Sequence, residues 1–309
     1  MKHDLVIGYN HGYTWEKIEP FARSLRDTGF DGDISLFTSG VAADAVAEIE
    51  SRGVKVLSSP CRNLAGSERW LNFWKALRVA PVLCRLRILQ CIAPVGVRRF
   101  LLYEKHLATY AAQYRRAFLT DVRDVVFQKN PFETKLPRGV HAFEEDGRHT
   151  VATRPINAGW VREAFGADGL HRLGPLPILC AGTILGDVPE LISFLRHFAW
   201  TCAKSRYLKS AGIDQGIYNM AVRTYPGPAI HLHANGGVVL TMAIMPASDI
   251  LVDEQGHVLG ADGRIIPVLH QFDRHPQLFN KIKVLQGNVS PPATSRLPVA
   301  PGATDGVAV

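Results

Sequence analysis

Short apolar runs alternate with helix-spaced apolar positions over the first sixty residues. Residues 4–9 (DLVIGY) are long enough for a buried strand, and Asn10, His11 and Gly12 end the run. Ile18, Phe21, Leu25 and Phe30 then recur at roughly helical spacing, with Thr14 placed to cap the helix and Glu16 in its first turn. A turn at Asp31 and Gly32 leads into a second strand, residues 33–37. Residues 41–52 follow as an amphipathic helix with Gly53 at its C-terminal cap, and residues 54–57 as a third strand. Strands and helices in this alternation predict right-handed crossovers and an α/β, Rossmann-like fold, with a mostly parallel central sheet flanked by helices.

Beyond residue 70 the pattern is helical and basic. Arg78, Arg85, Arg87, Arg98, Arg99, Arg115 and Arg116 are interleaved with Trp70, Phe73, Trp74, Leu77 and Leu83, and Pro81 and Pro94 divide the stretch. Two expectations stand side by side here: ordinary packing with solvated arginines, or an interfacial helix giving peripheral membrane contact. No apolar run is long enough to span a bilayer. Residues 117–120 form another short strand, and residues 125–127 return to the core before Asn130 and Pro131. Residues 140–143 read as a strand, 177–186 as strand, small-residue turn and strand, and 189–207 as a long helix. Residues 286–309, rich in Pro, Gly, Ser and Ala, are expected to be disordered, leaving one domain over residues 1–285.

Composition sharpens this only a little. With 309 residues, 47% hydrophobic and 20% charged, the chain can bury a full core, so disorder of the whole is excluded. Five cysteines without a CxxC pair give neither a disulfide framework nor a zinc knuckle. They favour a reducing compartment, and the start at Met1 directly before a strand leaves no room for a signal peptide, so a cytoplasmic protein is expected. A net charge of +7 suits phosphates, an anionic membrane surface or nucleic acid, and does not choose among them. Nucleic acid is not expected, because the basic residues lie in an apolar helical region without a recognition motif.

Three constellations could carry chemistry. Asp121 and Asp124 end an apolar strand, where an open α/β sheet places its ligands and where a hard cation finds carboxylate oxygens. Arg123 between them can meet a phosphate; a capped turn would predict the same acids. Asp214, Gln215 and Asn219, with Gly212 and Gly216, combine a carboxylate and amides able to grip sugar hydroxyls, or else a plain helix start. His270, Asp273, Arg274 and His275 form the third, with His270 a candidate metal ligand and Arg274 a candidate phosphate partner.

Taken in order, these segments resemble the GT-A glycosyltransferases, and within them the retaining glycogenin-like and bacterial galactosyltransferase-like group. FLTDVRDVVFQKNPF at residues 118–132 looks like the acidic metal-binding turn, CAGTILG at 180–186 like the turn touching the donor sugar, and Asp214, Gln215, Gly216 and Asn219 like the Asp-Gln-Gly-x-x-Asn segment. His270 matches the late histidine of the metal shell, and Tyr9 and Asn10 occupy the place of the nucleobase pocket. The acids depart from the usual pattern, being Asp-x-x-Asp with Val122 where the first aspartate of Asp-x-Asp would stand. The resemblance implies a hexosyltransferase-like enzyme with Mn²⁺ or Mg²⁺ on Asp121, Asp124 and His270. It implies a nucleotide-sugar donor held by Tyr9, Asn10, Arg123, Ala181, Gly182, Asn219 and Arg274, with Asp214 and Gln215 at the reacting face. The acceptor would be a hydroxyl of a glycan, a lipid-linked glycan or a protein. Inversion instead of retention would need a base, for which Glu144, Glu145 and Asp146 are candidates. Two other classes remain beside it: a phosphohydrolase using Asp121 as nucleophile, and a non-catalytic glycosyltransferase-like scaffold, which would fold without binding metal.

Overall fold

The computed structural model describes residues 2–59 and 68–286, without the side chains of 68–71, 91 and 92. Cys61, the side chains of Trp70 and Cys91, and the tail beyond Gln286 lie outside the described residues. The chain opens with β1 (His3–His11), α1 (Trp15–Asp27), β2 (Asp33–Ser39), α2 (Ala43–Ser51) and β3 (Lys55–Ser58), then α3 (Glu68–Ala76), α4 (Val82–Ile92) and α5 (Val95–Thr109). It continues with β4 (Tyr114–Thr120), β5 (Val125–Phe127), β6 (Val140–Glu144), α6 (Pro155–Leu173), β7 (Leu179–Asp187), α7 (Val188–Lys204) and α8 (Ile213–Thr224). Short strands close it: β8 (Ile230–His233), β9 (Val239–Thr241), β10 (Leu251–Val252), β11 (Val258–Leu259) and β12 (Val268–His270).

The fold is α/β, with a seven-stranded sheet in the order β3-β2-β1-β4-β7-β6-β8. It is mixed. β1 lies parallel to β2 and β4, β2 to β3 and β6 to β8, whereas β7 runs antiparallel to both β4 and β6. The chain leaves β1 toward β2 on one side and later returns as β4 on the other, so a crevice opens at the C-terminal ends of β1 and β4. A second sheet, β5-β12-β9, sits beyond β4. One core lies between the large sheet and α4, α5, α7 and α8, around Phe100, Phe194, Phe198 and Tyr218; another lies under α1, around Phe21, Phe118 and Phe127.

Proline sets several helix starts, because its missing N–H is one that a first turn leaves unpaired anyway. Pro81 and Pro94 precede α4 and α5, and Pro155 and Pro189 sit in the first turns of α6 and α7. Thr14 is the N-cap of α1, but its hydroxyl bonds the Glu16 carboxylate and caps no backbone N–H. Residues 179–187 correct one expectation. They form a single strand, not two strands about a turn, because Thr183 pairs with Thr120 straight across the position expected to bend.

At the far edge of the sheet, His141 on β6 stacks on His231 and shares a 2.9 Å hydrogen bond with His233, both on β8. Burial, with the two neighbouring imidazoles, pushes His141 down to about 4, and burial pushes His106 on α5 to about the same value. An unfolded histidine titrates near ~6.5, so below that pH the unfolded chain binds protons that the folded one refuses. Stability is therefore complete above pH ~6.5 and falls as pH drops toward 4, by about 1–2 kcal/mol for each histidine. Unfolding midpoints measured across this window should fall, and His141→Gln should flatten the slope. An equal slope in the variant would assign the acid sensitivity elsewhere.

Candidate functional site

Asp121 follows the last residue of β4, and its backbone N–H donates to the carbonyl of Gly182 on β7 at 2.8 Å. Asp124 precedes β5. Between them Val122 turns inward and is buried, packing so closely on β1 that a Cβ on Gly8 would lie 2.3 Å from its Cγ1. The extra residue between the two acids thus serves as a core anchor, and the turn directs both carboxylates to one side.

His270 comes from 146 positions later in the chain. The ladder of β12 against β5 sets His270 opposite Val125, and the Gln271 N–H donates to the Asp124 carbonyl at 2.7 Å. Gln271 is the one non-glycine residue with positive φ among the described residues, at 57°. Such a conformation costs about 1–3 kcal/mol and persists where its surroundings impose it. Donor atoms of Asp121, Asp124 and His270 lie within 4.8 Å of one another. These residues form a group that could hold a metal ion.

Three details fit such an ion. His270 is fully buried, yet its Nε2 makes no hydrogen bond and lies 3.5 Å from Oδ2 of Asp121. Its Nδ1 is 3.4 Å from both the Thr241 hydroxyl and the Cys180 sulfur, a partner arrangement that frees the Nε2 lone pair for coordination. Gly182 leaves room: a Cβ there would stand 2.6 Å from Oδ2 of Asp121 and 2.7 Å from Cε1 of His270. Two carboxylates and an imidazole are a donor set that a divalent cation could use.

The charges around this group are unequal. Burial opposes ionisation of Asp121, but Arg99 on α5 and His270 reverse the effect and hold its carboxyl well below the usual range. Arg99 ion-pairs with Asp121, donates to Oδ2 of Asp214 at 2.8 Å and to the Ala181 carbonyl at 3.2 Å. Burial would lower the Arg99 pKa, but the two aspartates more than restore its charge. Asp124 is shifted upward, first by burial and further by Asp121, against the opposing pull of His270 and Arg123. Arg123 lies 3.2 Å from both Asp124 and Asp273.

A cleft of about 350 Å³ opens over this group, bringing together Tyr9, Arg123, Ala181, Gly182, Asp214 and Gln215 with the three metal-ligand candidates. Gln215 is pinned from behind: its amide donates to Glu145 at 2.8 Å and Asn157 at 2.9 Å, and its oxygen accepts from the Ala181 N–H at 3.4 Å. Burial raises the Glu145 carboxyl. Three predicted residues do not line the cleft. Asn10 is buried and ties its side chain to the backbone of Tyr13, Asn219 clamps both backbone groups of Leu179, and Arg274 pairs with Asp273. Of the candidate bases, Asp146 is neutralised by Arg148, and Glu144 lies outside the cleft lining.

Sequence reasoning overlooked Arg99, and with it Gly96, His11, Tyr13 and Trp160, which also line the cleft. The signal for Arg99 was its place on the stripe of Gly96, Phe100 and Tyr103, the face that a helix with these apolar residues must bury. No known protein-family model matches the chain, and no curated protein sequence matches it.

Proposed function

We propose that the protein is a glycosyltransferase of the GT-A type that takes a sugar from a nucleoside-diphosphate donor in the cleft above Asp121, Asp124 and His270. The observation that carries this is the unbonded, buried Nε2 of His270 facing two carboxylates, in a cleft also lined by Arg99, Arg123 and the Asp214–Gln215 pair. A divalent cation on that triad would supply Lewis-acid neutralisation of a diphosphate leaving group. Arg123, half-buried at the rim, would orient the phosphates by charge-assisted hydrogen bonds. Tyr9, whose hydroxyl is tied to Ser39 and Ser59 at 3.0 and 3.2 Å, would present a fixed ring edge to the nucleobase. On the opposite wall Asp214 and Gln215 would hold the sugar, the first fixed by Arg99 and the second by Glu145 and Asn157. With Glu145 buried behind Gln215, no carboxylate of the 144–146 cluster lines the cleft as a base for inversion, which favours the retaining course.

Thermal unfolding with nucleoside diphosphates and nucleotide-sugars, each with and without Mn²⁺, is the direct test. A ligand at a hundred times its dissociation constant adds about 2.7 kcal/mol, a shift of a few degrees. One nucleotide should stabilise the protein, and only with metal. A metal-dependent shift without any nucleotide preference would leave a cation-binding protein and remove the donor site; no shift with any ligand would favour the scaffold class.

A further inference from the structure

The net charge of +7 is not spread over the chain. Residues 69–103 contain seven Lys and Arg and no Asp or Glu, so this one stretch holds the whole excess. Two of the seven are used internally. Arg85 is buried, bonded to the Ser205 carbonyl and lying over the Trp74 ring, and Arg99 serves the cleft. Lys75, Arg78 and Arg87 are exposed, the first two flanking the Tyr207 ring at 5.9 and 5.8 Å.

Apolar exposure collects in the same place. Among the described residues six large hydrophobic side chains are exposed, and three of them, Phe73, Val79 and Leu83, fall within eleven positions. Val79 is 94% exposed, on the short 3₁₀ turn Leu77–Val79 that joins α3 to α4, and Leu83, the second residue of α4, is 63% exposed. Along α4 the outward residues Leu83, Arg87 and Gln90 share one face, while Leu89 and Arg85 are turned inward and Leu86 packs against the core. The helices are therefore anchored from beneath, and the exposed face is a property of a packed element. No described helix is long and apolar enough to cross a membrane.

We propose that this face, the connection of α3 to α4 with the outer side of α4, docks on an anionic lipid bilayer. Cations beside protruding aliphatic side chains match the two layers of such a surface, headgroup charge outside and acyl chain just below. The protrusion at Val79 fits between lipids, and a nucleic-acid backbone has no apolar layer to receive it. The face also leads to the cleft, because α5 begins three residues after α4 and its Val95 and Gly96 line the cleft wall. This inference does not rest on the proposed donor chemistry.

Co-sedimentation of the full chain with vesicles containing phosphatidylglycerol, and with vesicles of phosphatidylcholine alone, tests it without any activity readout. Binding should require the anionic lipid and weaken at high salt. Arg78→Gln/Arg87→Gln should bind about twenty-fivefold more weakly, at roughly fivefold for each cation removed. Val79→Ser/Leu83→Ser should lose at least about tenfold while unfolding at the wild-type temperature, since both side chains are exposed. Equal binding to both vesicle types, no binding to either, or variants that bind like wild type would overturn the proposal. So would a dimer in light scattering that Leu83→Ser dissociates, which would make the face a contact between copies of this chain.

Discussion

Asp124→Asn is expected to stabilise the cation-free protein and at the same time to weaken binding of divalent metal by ~100-fold or more. The two effects share one cause. Asp124 is 6% exposed, and its carboxyl is pushed up first by burial and further by the neighbouring Asp121. Keeping this group ionised without a cation costs free energy, and a neutral side chain of the same shape removes that cost, about 1 kcal/mol for a unit of pKa. Arg123 is not stranded, because Asp273 lies 3.2 Å from it on the other side. Metal affinity should fall at least ~100-fold, the upper range seen when only a supporting residue of a metal ligand is lost. Calorimetric titration with Mn²⁺ and urea unfolding of both proteins measure the two terms separately. A variant that binds Mn²⁺ as well as wild type, or wild type that binds none, would remove the triad as a metal centre. A variant less stable than cation-free wild type would show that Asp124 has a structural partner outweighing its repulsion.

Local pattern was enough to locate the elements that position this site. The apolar run ending at Tyr9 and the run ending at Thr120 appear as β1 and β4, and the glycine expected to end the second helix, Gly53, has the positive φ of 76° that such a cap requires. Asp121, Asp124 and His270 were legible as separate candidates for the same reason, each standing where a short strand begins or ends. Their convergence was not, because the pairing of β12 with β5 sets His270 opposite Val125, 145 positions earlier, and no local periodicity encodes that register. The direction of β7 was likewise hidden. CAGTILG is buried along its whole length, so it lacks the alternation that would have separated strand from turn, and its small residues mark the crowding of Asp121 and His270 against Gly182. Arg99 was misread because composition had grouped it with six other arginines. The helix stripe alone distinguishes it from Arg98, its neighbour in sequence, which lies beside the groove of α4, α5 and α7.

Arg99→Met should destabilise the protein more than any other single change in the cleft. Its guanidinium is the counter-charge of both Asp121 and Asp214, and the Asp214 side chain is 8% exposed with a neighbouring backbone so close that a Cβ on Gly96 would stand 2.8 Å from Oδ1. Removing one partner of a buried ion pair costs about 3–5 kcal/mol, because the remaining charge is neither solvated nor matched. The two aspartates are not equivalent in the absence of Arg99. Asp121 still faces His270, whereas Arg99 is the only ion-pair partner of Asp214 among the described residues. Arg99→Met/Asp214→Asn should therefore recover a large part of the loss, with a coupling of up to about 3 kcal/mol in a double-mutant cycle. Arg99 also repels a cation on Asp121 while competing for the same carboxylate, so Mn²⁺ should bind Arg99→Met more tightly than wild type, opposite in sign to Asp124→Asn. Urea unfolding of the four proteins of the cycle, with and without Mn²⁺, contains every comparison required. If Arg99→Met unfolds within about 1 kcal/mol of wild type, the range of an exposed surface pair, then water reaches this ion pair and Arg99 is not the counter-charge that holds the cleft together.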